Sequence, residues 1–173
     1  IMALALESPL LVRQKVYATL GSVGGPGSAT NPGGSAKEKL WWTAAREFFN
    51  QWVTAGNANL QIVPFSDTDI TTAGGFDTGV DAACQVYLFY VNKRANATGA
   101  VVKLYDNITG DSITTEQTLS MLLDESNQET MQIYPTGFSH ATGLIVVAHT
   151  TVEGSTDTTA GDAGDGFVVI GAA

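Results

Sequence analysis

The chain has 173 residues, enough for one domain or one domain with an arm, and its 44% apolar content suits a globular core. Only 14% of residues are charged, and 17 acidic against 8 basic side chains give a net charge of −9, which argues against nucleic-acid binding and against a polybasic membrane patch. A single cysteine, Cys84, excludes an intrachain disulfide or a paired-cysteine metal site, and no apolar run approaches the roughly 20 residues of a membrane span.

Residues 1–35 read as an extended N-terminal arm with its linker. The arm holds two short apolar patches, MALAL and PLLVRQKVYATL, the second compatible with a strand. The opening IMALALESPLLV has no basic stretch and is too acidic for a secretory leader. From Gly21 to Ser35 the sequence is GSVGGPGSATNPGGS, whose Gly, Pro and Ser content marks a flexible connector. Residues 36–173 read as one domain. It begins with a helix at about 36–55, where Ser35 and Glu38 have capping-box spacing and Gly56 is placed to end it. Leu40, Ala44, Phe48 and Trp52 make one apolar row, and Trp41, Ala45, Phe49 and Val53 the next, while Trp42, Arg46 and Gln51 fall elsewhere on the circumference. Packing against a sheet is the expected role of this aromatic face, ahead of ligand stacking.

Strand signals follow. NLQIVPF is a short strand that Pro64 confines to an edge or an end. SDTDITTAGGFDTGV is polar and turn-rich, CQVYLFYVN and AVVKLYDN are strong strands, and SITTEQTLSMLLDES fits strand or short helix. ETMQIYP, FSHATGLIVVAHTTVE and GFVVIGA complete the set. The fold class expected is therefore mainly β: an antiparallel β-sandwich or jelly-roll-like domain carrying one amphipathic helix.

No stretch carries a reaction signature. Both histidines lie in YPTGFSHATGLIVVAH, residues 134–149. Ser139 directly precedes His140, and neighbours on an extended strand face opposite ways. GFSHATG also lacks the second glycine of a nucleophile elbow. His140 is expected at the surface and His149 on a strand face. Cys84 sits in the apolar run AACQVYLFYV and reads as a buried hydrophobe. Asp157, Asp162 and Asp165 miss the alternating acids and closing Glu of an EF-hand, so loop 154–166 reads as solvated, as does the stretch with Asp67 and Asp69. GSVGGPGS lacks the Lys-Ser/Thr ending of a phosphate-binding loop. The chain reads as a non-enzyme that uses no cofactor, and the acceptor-type sequences at Asn96 and Asn107 mark exposed turns.

The stretch 98–171 resembles small structural proteins of tailed bacteriophages. Its parts are VVKLYDNITG, then YPTGFSHATGLIVVAH, then the loop TDTTAGDAGDG and the final apolar strand FVVIGAA. The resemblance implies a virion component, foremost a capsid decoration (cement) protein that binds the major capsid protein on the capsid exterior, often as a homotrimer. A head–tail connector or tail subunit is the second possibility, and a carbohydrate- or receptor-binding β-sandwich using exposed tryptophans the third. In the pattern Pro135 and Gly137 shape one turn, and Gly143 ends the next. The arm and the aromatic helix are expected to make most intersubunit contact, through Leu11, Val12, Val16, Tyr17, Trp41 and Trp42.

Overall fold

The computed structural model describes residues 4–24, 36–71, 75–92, 100–108, 117–123, 129–150 and 164–173. Eight strands form two four-stranded antiparallel sheets packed as a sandwich. The first sheet runs β1 (Leu60–Phe65), β8 (Asp165–Ala172), β3 (Cys84–Asn92) and β6 (Glu129–His140). The second runs β2 (Phe76–Val80), β7 (Leu144–His149), β4 (Ala100–Tyr105) and β5 (Leu119–Leu123). Val86, Phe89, Val91, Val168 and Ile170 of the first sheet meet Val102, Leu104, Leu144, Val146 and Ala148 of the second.

The first sheet is buried on its other face too. There Leu60, Leu88, Tyr90, Met131, Phe167 and Val169 lie under the helices α1 (Pro9–Gly24) and α2 (Ala36–Thr54). Burial on both faces explains why CQVYLFYVN and GFVVIG read as unbroken apolar runs rather than alternating ones. β3 reaches both layers through a bulge at Tyr87. Val86 pairs with Ile170 and Leu88 with Val169, leaving Tyr87 unmatched, and beyond it the inward-facing set changes from Cys84 and Val86 to Phe89 and Val91.

Two expectations need correction. The segment PLLVRQKVYATL is a helix, not a strand, so the chain begins with two helices and the N-terminal region is not an extended arm. Ser8 starts α1: its hydroxyl and carbonyl accept from the N–H groups of Leu11 and Val12, and Pro9 stands at the first helical position, where no N–H is needed. Second, Pro135 and Gly137 do not close a turn between strands. They lie in a wide bulge within the single strand β6, where Val86 pairs with Phe138 but Leu88 with Ile133. Gly137 takes φ +79° there, and a Cβ on it would press on the Gln85 side chain at 2.8 Å.

The helix α2 matches its expected span and ends in a Schellman turn, with Asn57 N–H donating to Trp52 O and Gly56 N–H to Val53 O. The side chains of Ser35 and Glu38, and the linker 25–35, lie outside the described residues. The polar stretch after β1 forms a short helix, α3 (Asp67–Ile70), and then β2.

Three of the four edge strands are interrupted. Pro64 removes a donor from β1, β6 has its bulge, and β2 shifts register between Asp77 and Val80. Among the described residues no helix is long and apolar enough to cross a membrane.

Candidate interaction surface

The helical pair over the first sheet holds the residues expected to meet a neighbour. Val12, Val16 and Leu20 recur every four residues on α1 and are buried against Trp42, Ala45 and Phe49 of α2. Tyr17 stacks on Trp42 with ring centroids 5.2 Å apart and meets Phe49 edge-on. The Arg46 guanidinium covers Trp42 at 5.3 Å, and Arg13 lies over Tyr17 while its Nη1 donates to Asn50 Oδ1 at 3.2 Å. Thus Val12, Val16 and Trp42 are occupied within the chain, and Trp42 in particular is covered because α1 packs on the side of α2 that the sequence pattern leaves open. Tyr17 and Trp41 are half-buried, whereas Leu11 at 40% and Leu10 at 47% remain exposed.

The aromatic layer has a cost built into it. Tyr17 Oη and Trp41 Nε1 are buried with no hydrogen-bond partner, each omission worth about 1–3 kcal/mol. Burial raises the Tyr17 phenol above its ordinary value, with Arg13 and Arg46 pulling the other way. Trp52 by contrast is fully engaged: Nε1 donates to Ala58 O at 2.9 Å, and the ring packs on Phe48 and Tyr87.

Of the two histidines, His140 belongs to a corner joining the two sheets. His140, expected at the surface, is 1% exposed, because the turn between β6 and β7 folds over it. That turn is held by Asp106, whose carboxylate accepts from the N–H groups of Ala141 (2.8 Å), Thr142 (2.7 Å) and Gly143 (3.1 Å). Burial alone would push this carboxyl up, but those three N–H groups and the His140 ring bring it below the usual carboxylate value. Gly143 ends the turn as expected. A Cβ there would run into the carbonyls of Val80 and Asn107, backbone atoms that cannot rotate away.

His140 Nδ1 lies 2.9 Å from Gly143 O, which can only accept, so Nδ1 carries the proton. Nε2 lies 2.7 Å from Thr118 Oγ1, whose one proton has both that ring nitrogen and Leu104 O (3.0 Å) within reach. Burial pushes this imidazole down, against the opposing pull of Gly143 O and Asp106. Directly across the ladder from His140 is Cys84. Cysteine, histidine and aspartate therefore meet here, yet they do not make an activated nucleophile. Both ring nitrogens are taken, the thiol is fully buried, and burial together with Asp106 raises its pKa to about 11. Ser139 points away and pairs with Gln85, as strand alternation requires. His149 is also buried, 3.4 Å from Tyr105 Oη on the outer face of the second sheet, near the buried Lys103.

Asp67, Asp69 and Asp165, the candidate cation ligands that fall in described segments, act as backbone acceptors. Asp67 N–H donates to Asp165 Oδ1 and Gly164 N–H to Asp67 Oδ1, clasping α3 to the start of β8. Asp69 completes a capping box with Ser66. Asp157, Asp162 and Asn96 lie outside the described residues. Among the described residues no three His, Cys, Asp or Glu side chains cluster as a metal site.

Asp106, Thr118 and Lys103 were not singled out in the sequence. The KLYD motif contains Asp106, but an acidic residue at a strand end gives no hint of the distant turn it holds. Compared with protein-family models, with curated proteins and with solved structures, the chain matches none.

Proposed function

We propose that this chain is a structural protein of a tailed-bacteriophage virion, a decoration (cement) subunit that binds the major capsid protein on the outside of the head as a homotrimer. The observation that supports this reading most is the part played by the resembling motif. KLYD and FSHATG are two halves of one corner, in which Asp106 fastens the turn 141–143 and ties the sheets together. A motif used for bracing fits a protein whose work is mechanical. The low charge content and the exposed Leu10 and Leu11 fit a surface that docks on neighbours, where several modest contacts add through effective concentration.

A sugar-binding module needs an open aromatic face, and Trp42 is buried, with Tyr17 stacked on it and the Arg46 guanidinium over its ring. That reading is therefore the weaker. A head–tail or tail subunit differs from a decoration protein in symmetry rather than chemistry. Imaging of particles incubated with the purified chain tests the proposal: added density at threefold or quasi-threefold positions of the shell is expected. Six- or twelvefold rings at the vertex or tail would transfer the chain to the second role, and particles left bare would overturn the virion assignment.

A further inference from the structure

We propose that the outer edge of the helical pair docks an acidic segment of a partner protein, with Arg13 and Arg46 receiving its carboxylates and the hollow at the Leu10 end receiving an apolar side chain. Leu10, Arg13 and Tyr17 share one face of α1, and Arg46, Asn50 and Thr54 share one face of α2. The bond from Arg13 Nη1 to Asn50 Oδ1 brings the two faces together. Arg13 meets Asn50 while Tyr17 stacks on Trp42, so the helices run antiparallel. Leu10, one turn before Arg13, therefore lies toward the Thr54 end of α2. There Asn50, Gln51, Thr54 and Ala55 line an open hollow of about 380 Å³.

The mark of this edge is cations without counter-ions, in a chain where 17 acidic residues face 8 basic ones. On the same helices Lys15 is paired with Glu7, but among the described residues no carboxylate pairs with Arg13 or Arg46. Glu47, beside Arg46 in sequence, accepts instead from Gln51 Nε2 at 3.2 Å. Both guanidiniums rest on aromatic rings, Arg13 on Tyr17 at 6.0 Å and Arg46 on Trp42 at 5.3 Å. Such stacking engages the flat face of a guanidinium and leaves its in-plane N–H donors for a carboxylate. The Tyr17 hydroxyl, within the field of both arginines, has no hydrogen-bond partner either. Charge thus selects an acidic ligand, and the total charge selects its source. A nucleic acid would press a row of phosphates against a chain of net charge −9, whereas a peptide brings only a few carboxylates and an apolar side chain for the Leu10 end. The inference does not rest on the virion assignment, since it is read on the purified chain with synthetic peptides.

The isotope-labelled chain is titrated with a blocked hexapeptide, Ser-Leu-Ser-Glu-Glu-Ser, and with its twin carrying Gln for both Glu, while the arginine side-chain Nε–H resonances are followed by NMR. Those of Arg13 and Arg46 should shift saturably with the acidic peptide, which binds about tenfold more tightly than the amide twin and loses affinity as salt is raised. Arg46→Gln, at an exposed position, should weaken binding about threefold at an unchanged melting temperature, and the R13Q/R46Q pair about tenfold. Because Arg13 is half-buried and bonded to Asn50, the R13K/R46K pair serves as the second variant: it keeps the charge and should keep most of the affinity. Equal affinity for the two peptides, no saturable shift with the acidic one, or undiminished binding by the folded R13Q/R46Q chain overturns the proposal. So do equal shifts from the same concentration of sodium phosphate, which would make this a site for any small anion.

Discussion

Asp106 shows how much one side chain can organise. It lies at the end of β4 and receives three N–H groups from a turn more than thirty residues later, next to a buried imidazole. Asp106→Ala leaves those donors to solvent or to nothing, and a loss of about 2 kcal/mol is expected in urea unfolding, with Asp106→Asn losing about half as much because its amide oxygen still accepts. The corner also sets an acid response. The His140 pKa lies below 6.5 in the folded state, so as pH falls past 6.5 the unfolded chain takes up the proton first. The stability that the neutral ring supplies is complete above about 6.5 and declines as pH falls toward the folded value. For Asp106, lowered from 3.8, the contribution is complete above 3.8 and is lost as pH falls through the folded value. His140→Gln should therefore remove the decline that sets in as pH falls past 6.5, and the acid limb that remains below 3.8 belongs to Asp106 without the help of the ring. An unchanged slope in that first window would refute the assignment. The sequence already showed Gly143 and the strand-face position of His149. It could not show the burial of His140, which depends on a partner distant in the chain.

At the level of elements, the sequence was most legible where apolar runs were long. The strand read from CQVYLFYVN is β3, Cys84–Asn92, and the helix read at about 36–55 is α2, Ala36–Thr54. The first helix departs from the strand its sequence is compatible with because its valines and leucines suit a strand as readily as a helix, although Ser8-Pro9 and the spacing Val12, Val16, Leu20 carry the helical signal. The difference changes what a truncation does. An extended arm could be removed without harm, whereas removing residues 1–24 uncovers Leu60, Trp42 and Phe49. The truncated chain should melt lower and bind a hydrophobic dye, and Val16→Ala alone should cost about 2 kcal/mol. Trp42 reports on the same seam: its emission should move to longer wavelength on truncation and stay unchanged across a panel of glycans.

The described residues form three layers, with helices on one sheet and that sheet on another, and charged side chains are few in the sequence. Such a body suits repeated contact with identical neighbours. On the decoration role proposed above, capsids mixed with the wild-type chain should take up a fixed number of copies and resist heat better than bare shells, which sedimentation after challenge can measure. A chain carrying Leu10→Glu and Leu11→Glu should bind at least tenfold more weakly while its own melting temperature is unchanged, since both residues are exposed. Equal binding by that variant would move the contact surface away from α1. The sandwich was readable from strand rhythm alone, but its sheet order was not, because neighbours such as β1 and β8 are about a hundred residues apart in sequence.

The interrupted borders of the sheets bear on what happens when many copies crowd together. Pro64 in β1, the wide irregularity around Tyr134–Gly137 in β6 and the shifted register of β2 deny an approaching chain the flat, continuous row of donors and acceptors that templates fibril growth. Apolar strands as dense as LIVVAH and FVVIG are thereby shielded from templated pairing at these three borders, and straightening one of them, as by Pro64→Val, is the change that would remove the protection there.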